Sequence, residues 1–381
     1  MKIVIISATY NEKGNIERLI AILEEKVFPR IKNHEMYILV ADDNSPDKTG
    51  DEVRKLMKKL KNLYITTGHR SGLGAAYVRG MTYAIDKLGA DIIFEIDADL
   101  QHDPYKITEF IKKIEEGYDM VVGNRYSDGG SIPKNWPMAR KLFSITANIF
   151  IRAVFMRFSI HDWTGGYRAL RKEVFLKEKR NLTNYKGYIF QISFLHRAVC
   201  DGFKIAEVPF NFSDRTLGSS KIAPLGYIVD VIAYVISVRV RELISGKFGK
   251  FLTVGGVGFT INALALRLLV EYFNWHPASA NLVGGAFAIF SNYNFNNLWT
   301  FKDRRGKGVA SYFLRMGGFY LSSGIGVVLV QTGTIFILTQ MFGKEYYFIY
   351  FLIGTFFLLM WNFTMYSKVI WRRKRIKNAS F

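Results

Sequence analysis

The chain has 381 residues, of which 49% are apolar, and a formal net charge of +20. That length suffices for a core domain plus a second unit, and that charge asks for an anionic partner: nucleic acid, a membrane surface or phosphorylated substrates. One cysteine, Cys200, excludes an internal disulfide framework and leaves the compartment open.

The N-terminus, MKIVIISATYNE, has too short an apolar part for a secretory signal, so the N-terminal half is expected on the cytosolic side. Lys2–Ser7 is a β-branched run that suits a buried parallel strand. It ends at Ala8-Thr9-Tyr10-Asn11-Glu12, and an amphipathic helix follows with Ile16, Leu19, Ile20 and Leu23 inward. Tyr37–Ala41 is a second strand, stopped by Asp42-Asp43-Asn44-Ser45-Pro46, and Asp51–Leu60 is a helix. Leu63–Thr66 is a third strand. Gly68-His69-Arg70-Ser71-Gly72-Leu73-Gly74 then leads into a helix over Ala75–Lys87. That segment suits a phosphate cradle and an ordinary glycine-rich turn about equally, because its spacing is neither a P-loop nor a dinucleotide fingerprint.

A fourth strand begins at Ile92 and delivers Asp97, Ala98, Asp99 and Gln101 at its end. Carboxylates one residue apart at the mouth of a parallel strand suit a hard divalent cation that also holds substrate phosphates. Met120–Gly123 is a fifth strand, closing on Asn124-Arg125-Tyr126. This alternation predicts an α/β fold with a parallel, doubly wound sheet, and it places every polar cluster named so far at the carboxyl edge. Ser127–Asn135 is loop-like, and Arg140, Lys141 and Ser144 open a mostly apolar helix. His161–Arg168 is predicted as a tight loop in which Trp163 and Tyr167 pack around Gly165-Gly166. Ile205–Phe212 is a further strand. Beyond it, Gly218, Ser219 and Ser220 leave Arg215 and Lys221 free to swing towards one anion, which favours phosphate binding.

From about Phe251 the composition changes. Phe251–Phe273, Pro277–Trp299, Tyr312–Leu338 and Tyr346–Ile370 each reach the roughly 20 apolar residues that cross a bilayer. Arg315 and Lys368 lie near span ends and snorkel, whereas Arg267 is deeper and unexplained by the sequence. Small residues (Gly255, Gly256, Gly258; Gly284, Gly285, Ala286, Ala288) suit close helix packing in lipid. Lys302, Arg304, Arg305 and Lys307 in the second loop, and Arg372 to Lys377 in the tail, put both in the cytosol with everything before Phe251. Ile222–Ile244 has helical apolar spacing interrupted by Asp230, which suits one or two amphipathic helices lying in the interface. The expected organisation is 1–221 soluble, 222–246 interfacial, and 247–381 a four-helix transmembrane domain with a basic tail.

Tyr10-Asn11-Glu12, Asp42–Pro46, Gly72–Tyr77, Asp97–His102 and Gly123–Tyr126 come in the order seen in family 2 glycosyltransferases. With Tyr185–Gln191, Glu207-Val208-Pro209 and Arg215–Lys221 added, residues 1–221 resemble the dolichyl-phosphate mannose synthases of that family. The four-span half is similar to the GtrA-type membrane domain attached to some members. Ala8 departs from the proline usual before Thr-Tyr-Asn-Glu, a change in loop stiffness more than in chemistry.

The resemblance implies a Rossmann-like, glycosyltransferase A-type domain with a mostly parallel sheet. It implies transfer of mannose from GDP-mannose to dolichyl or another polyprenyl phosphate, with inversion, at the bilayer. Mg²⁺ or Mn²⁺ would be held by Asp97, Asp99 and Gln101. Ala8, Tyr10, Glu12, Ala41, Asp42, Asp43, Gly72, Ala98 and Arg125 would complete the nucleotide-sugar site with those ligands, Arg215 and Lys221. Arg140, Ser144, Arg215 and Lys221 would take the acceptor phosphate, and Asp99, Arg125, Arg215 and Lys221 would carry catalysis. His102 shapes the loop rather than binding metal.

A lipid monophosphate has its second pKa near 6, so no strong general base is needed. Consistently, the Gln-x-x-Arg-Trp signature of processive polysaccharide synthases is absent. UDP-glucose is the alternative donor. A flippase for the lipid-linked sugar lacks support from buried charges or inverted repeats, and nucleic-acid binding fails because the bases cluster at membrane flanks rather than in one stripe.

Overall fold

In a computed structural model of the chain, residues 1–182, 187–213, 225–275, 277–306, 308–326, 329–330, 333–343 and 346–372 are described. They fall into two compact units, Met1–Ser237 and Val238–Phe381. The first unit runs β1 (Lys2–Thr9), α1 (Lys13–Ile22), β2 (Glu35–Asp42), α2 (Thr49–Met57), β3 (Leu63–Thr67), α3 (Leu73–Asp86), β4 (Ile92–Glu95), α4 (Ile107–Glu115), β5 (Met120–Asn124), α5 (Met138–Phe155), β6 (Arg168–Arg171), α6 (Lys172–Leu182), α7 (Gly187–Cys200) and β7 (Ile205–Pro209), and α8 (Leu225–Ser245) begins in it and ends in the second.

The strands form one sheet in the order β3-β2-β1-β4-β6-β5-β7, parallel except for β6. Ile3, Val4, Ile5 and Ile6 of β1 are all fully buried, as a central strand covered on both faces requires. Ile16, Leu19, Ile20 and Leu23 pack under that sheet, as their helical spacing predicts. The chain winds outward from β1 to β3 and then returns to lay β4 on the other side of β1. The switch point therefore lies between β1 and β4, where a doubly wound sheet opens a crevice beyond its strand ends.

The sequence pattern misses β6. It is four residues long, antiparallel, and inserted between β4 and β5, and its Arg168 is fully buried. The segment expected as a loop, 161–168, is the lead-in to this strand. Its Asp162 carboxylate accepts from Arg125 Nε at 2.6 Å and Nη2 at 2.8 Å, and from the backbone N–H groups of Thr164 and Gly165 at 3.2 and 3.0 Å. Glu207 on β7 takes the N–H groups of His161 and Asp162 and the Asn124 amide at 2.7, 3.2 and 2.9 Å. The ends of β5 and β7 and the entry to β6 are thus tied together by two carboxylates.

The second unit contains α9 (Lys247–Glu271), α10 (Pro277–Phe295), α11 (Val309–Ile325), α12 (Gly333–Phe342) and α13 (Tyr347–Met365). Among the described residues, one helix, over Lys247–Leu269, is long and apolar enough by length and composition to cross a membrane. The expected third span, Tyr312–Leu338, contains most of α11 and the first part of α12, and Gly326, Leu329 and Val330 between them are also helical. α9 and α10 pack at small residues: a Cβ on Gly258 would meet the Asn292 amide, and one on Gly284 the Asn262 side chain, at under 3.0 Å. Arg267 is 75% exposed and pairs with Glu271 one turn on, at 3.0 Å. α8 is a single helix whose Val229, Ile232, Ile236, Val240 and Ile244 form an exposed apolar stripe.

Two stability predictions follow from the first unit. At Gly80 on α3 an added Cβ would lie 2.8 Å from Ile6 Cγ2, a β-branched methyl with little freedom. Gly80→Ala gains about 1 kcal/mol of helix propensity but incurs about 1–3 kcal/mol of overpacking. A net loss is expected, lowering Tm by about 2–4 °C per kcal/mol in thermal unfolding of the full chain; a rise in Tm would show that helix and strand part freely. Asp162 is fully buried, and while burial pushes its carboxyl up, Arg125 and the N–H donors outweigh that and hold it below the usual range. The depressed pKa makes this contribution complete above the unfolded value of about 3.9 and lost as pH falls through the folded value. Asp162→Asn leaves Arg125 buried without its counter-charge, at a cost of about 3–5 kcal/mol at neutral pH. The variant should also lose this part of the acid sensitivity below about pH 4. Unfolding curves that superpose on wild type at both pH values would contradict the role given to the pair.

Candidate functional site

The site forms where β1 and β4 end. Beyond Glu95 the chain makes a turn in which Leu100 adopts φ 60°, a left-handed conformation unusual for a leucine. The turn is stapled from within. Asp99 Oδ1 accepts the Gln101 N–H at 3.1 Å, and the Asp97 N–H donates to His102 Nδ1 at 3.2 Å. His102 stacks on Tyr167 at 5.0 Å, and the Tyr167 hydroxyl donates to the Asp103 carbonyl at 2.9 Å. Burial lowers the His102 pKa to about 4, so its ring is neutral at physiological pH and the 3.8 Å approach of Nε2 to Asp97 is no ion pair. His102 therefore shapes the loop, as expected.

Asp97 and Asp99 emerge with different exposure, 37% for the Asp97 side chain and 3% for Asp99. Asp97 Oδ1 accepts from the Tyr77 hydroxyl of α3 at 3.3 Å, and the Gln101 carboxamide donates to the Ser213 carbonyl at 3.1 Å. Two carboxylates and one carboxamide make a set of hard oxygen donors on a turn fixed by its own hydrogen bonds, and this set fits Mg²⁺ or Mn²⁺ rather than a thiolate-seeking metal. Beneath it lies a buried polar layer absent from the sequence expectations. Gln191 of α7 donates to Glu95 at 3.0 Å, and Arg168 donates to the Gln191 and Gly165 carbonyls at 2.8 and 2.9 Å. Burial pushes the Glu95 carboxyl up to about 7 against the pull of Arg168 and Gln191, and lowers Arg168 to about 10.

The neighbouring loops close together. The Asn11 N–H donates to Ser45 Oγ at 3.0 Å and the Glu12 N–H to Thr49 Oγ1 at 3.1 Å, which zips the loop after β1 to the loop after β2. Asp42, expected at the nucleotide, accepts from Thr9 Oγ1 at 3.0 Å and from the Ser45 hydroxyl and N–H at 2.6 and 3.0 Å. Asp43 pairs with Arg79 at 2.7 Å. Ala8 and Ala41 face each other across β1 and β2, and Gly72 (φ 97°) caps α3. Arg70, in the glycine-rich segment, lies 4.0 Å over the Tyr10 ring, a pairing that local spacing does not reveal because two strands, β2 and β3, lie between them in the chain.

Arg125 is 9% exposed and its guanidinium is held by Asp162 and, at 2.9 Å, by Thr164. On α5, Arg140 stacks 3.7 Å from the Trp136 ring centroid and Ser144 Oγ lies 2.6 Å from the Tyr126 hydroxyl. Asn148, one turn beyond Ser144, accepts the Trp163 N–H at 2.7 Å and ties this helix to the Asp162 loop. α5 also exposes Met138, Leu142, Phe143, Ile145 and Ile149. Arg215, Lys221, Tyr185 and Lys186 lie outside the described residues.

A family model described as Glycosyl transferase family 2 matches residues 4–177, and one described as GtrA/DPMS, transmembrane domain, matches residues 250–371. Among curated proteins, the chain is 36% identical over 222 residues to polyprenol monophosphomannose synthase of Mycolicibacterium smegmatis, covering 58% of this chain and 80% of that protein. It is 32% identical over 333 residues to dolichol-phosphate mannosyltransferase of Pyrococcus furiosus, covering 86% and 88%, a match that includes both units. It is also 32% identical over 226 residues to undecaprenyl-phosphate mannosyltransferase of Micrococcus luteus, covering 58% and 88%. The first unit is thus a Rossmann-like, glycosyltransferase A-type domain with a mostly parallel sheet. The chain belongs to the family 2 glycosyltransferases and is a membrane protein that carries the GtrA/DPMS transmembrane domain behind its catalytic unit.

Proposed function

We propose that this enzyme transfers mannose from GDP-mannose to dolichyl or another polyprenyl phosphate, with inversion, forming a lipid-linked mannose. The observation that carries the reading is the stapled turn Asp97-Ala98-Asp99-Leu100-Gln101 at the β1/β4 switch point, in a chain whose relatives are named as polyprenol- and dolichol-phosphate mannosyltransferases. Asp97, Asp99 and Gln101 would hold Mg²⁺ or Mn²⁺, which would supply positive charge to neutralise a diphosphate leaving group. Tyr77 and the Gln101 N–H fix the two carboxylates, so little reorganisation remains for the reaction. Tyr10, Glu12, Asp42, Asp43 and the Gly72 turn line the nucleoside side, where the paired loops limit the pocket. Arg125, immobilised by Asp162, contributes a fixed positive field towards the phosphates.

The acceptor enters along α5. Arg140 and Ser144, completed by Arg215 and Lys221, take its phosphate, and the exposed apolar residues of the same helix meet its chain and the bilayer surface. The attacking phosphate oxygen is already largely ionised at neutral pH, so the protein positions it and need not deprotonate it. A single displacement at the anomeric carbon then inverts configuration. The basic residues of the loop after α10 and of the C-terminal tail support a cytosolic catalytic unit, with α8 lying in the interface.

Asp99→Ala should lower transfer by about 10²–10³-fold, while the chain still inserts into membranes. Retained turnover with the same metal requirement would remove Asp99 from the metal site. The reading as a whole is tested by offering the purified full chain GDP-mannose or UDP-glucose with a polyprenyl phosphate and Mg²⁺ or Mn²⁺. Mass spectrometry and NMR of the glycolipid then identify the sugar and its anomer. A β-mannosyl lipid from GDP-mannose is expected. A glucolipid made only from UDP-glucose would replace the donor, and an α-mannosyl product would refute inversion.

A further inference from the structure

The second unit contains a cleft of about 700 Å³ between the end of α10, the loop after it and the start of α11. Lys302, Arg305 and Arg315 line it, and no carboxylate does. The carboxylate of that loop, Asp303, is held elsewhere by Lys247 at 2.7 Å and approached by Arg304 Nε at 3.6 Å. Arg304 in turn donates to the Ser367 and Trp371 carbonyls at 2.9 and 3.4 Å. Among the described residues, none of the three cleft cations pairs with an acidic side chain, so like charges converge without internal compensation. Such an arrangement is stabilised by an anion.

The cleft is also organised before any ligand arrives. Arg315 Nη1 donates to the Arg304 carbonyl at 2.7 Å, and its guanidinium packs against Gly306, where a Cβ would come within 3.1 Å of Arg315 Cζ. Ser311 lies in the first turn of α11, whose N–H groups add partial positive charge. The rim is different in character: Leu298, Val309 and Phe313 line the same cleft and are more than half exposed. A free phosphate or nucleotide would use the cations and leave that rim in water. A phosphate head carried on an acyl or prenyl chain uses both, and the volume suits a head group with the first part of its tail.

We infer that this cleft of the second unit binds the phosphate of an anionic lipid. Binding does not depend on which sugar the enzyme transfers. The test uses the full chain in nanodiscs of phosphatidylcholine doped with either phosphatidylglycerol or undecaprenyl phosphate, without nucleotide sugar, followed by gentle release and native mass spectrometry of retained lipid. Wild type is expected to retain the doped lipid over phosphatidylcholine, and the double variant Lys302→Gln/Arg305→Gln to retain at least about tenfold less. Arg241→Gln, which removes a base outside the cleft, should retain as wild type does. Retention of phosphatidylglycerol as well as undecaprenyl phosphate assigns the cleft to membrane phospholipid in general, and retention of undecaprenyl phosphate alone assigns it to the prenyl lipid. Wild-type retention by the double variant, equal retention of phosphatidylcholine, or equal loss in Arg241→Gln would overturn the inference. Transfer assays on the same variants separate this outcome from failure of the mannosyltransferase reading, since neither lysine nor arginine lies in the catalytic unit.

Discussion

The catalytic edge depends on one buried carboxylate. Asp162 grips Arg125 through two nitrogens and collects the N–H groups of the turn that follows it. That turn launches β6, and β6 is the strand that joins β4, which carries the aspartates, to β5, which carries Asn124-Arg125-Tyr126. A charge without a counter-charge at this depth would be expelled or neutralised. The bidentate geometry makes burial tolerable and also fixes orientation, because a guanidinium fork accepts a carboxylate in few ways. Through Asn148 and Trp163 the same turn holds α5, so the proposed acceptor side and the cation side share one anchor.

Most of the parallel sheet was legible because a strand covered on both faces must be continuously apolar. Ile3–Ile6, Ile92–Phe94 and Met120–Val122 announce themselves in this way. The polar clusters were legible for the complementary reason: an apolar run that stops abruptly at Asp, Asn or Glu marks a strand end, and in a doubly wound sheet those ends meet. β6 was hidden because Arg168-Ala169-Leu170-Arg171 reverses the rule. It is short, it runs antiparallel, and it buries a guanidinium whose partners are carbonyls 3 and 23 residues away. No local pattern distinguishes such an arginine from a solvated one. Asp42 and Asp43 show the converse limit, since their type and position were evident but the partners that occupy them, Thr9, Ser45 and Arg79, appear only after folding.

In the membrane unit the sequence spoke more plainly about composition than about helix boundaries. A window of apolar residues has no internal punctuation, so the change from α-helix to a wider helical turn after Ile325 leaves no mark in Tyr312–Leu338. Arg267, puzzling within an apolar run, acquires a partner from Glu271 four residues on, an i,i+4 pair at the exposed end of α9. The small residues behave unequally: Gly258 and Gly284 meet Asn292 and Asn262 across the α9–α10 contact, whereas a Cβ on Gly255, Gly256 or Gly285 would meet nothing within 4 Å. Only position in the helix pair separates the glycines that permit contact from those that do not.

The layer beneath Asp97 explains why α7 belongs to the site without touching its open face. Gln191 donates its carboxamide to Glu95 and its carbonyl receives Arg168, so one residue of a helix bonds to β4 and to β6 at once. Phe190 stacks on Tyr77, which in turn holds Asp97. Glu95, Arg168, Gln191, Phe190 and Tyr77 are all buried, and the polar contacts among Glu95, Arg168 and Gln191 are stronger for being out of water. A displacement of α7 would therefore reach Asp97 by two routes, through the Glu95 end of its own strand and through the Tyr77 hydroxyl. The motif Gly187-Tyr188-Ile189-Phe190-Gln191, noticed first as a family resemblance, gains a physical role in this way. It sets the position of the aspartate turn from behind, leaving the front of the turn to the ligands.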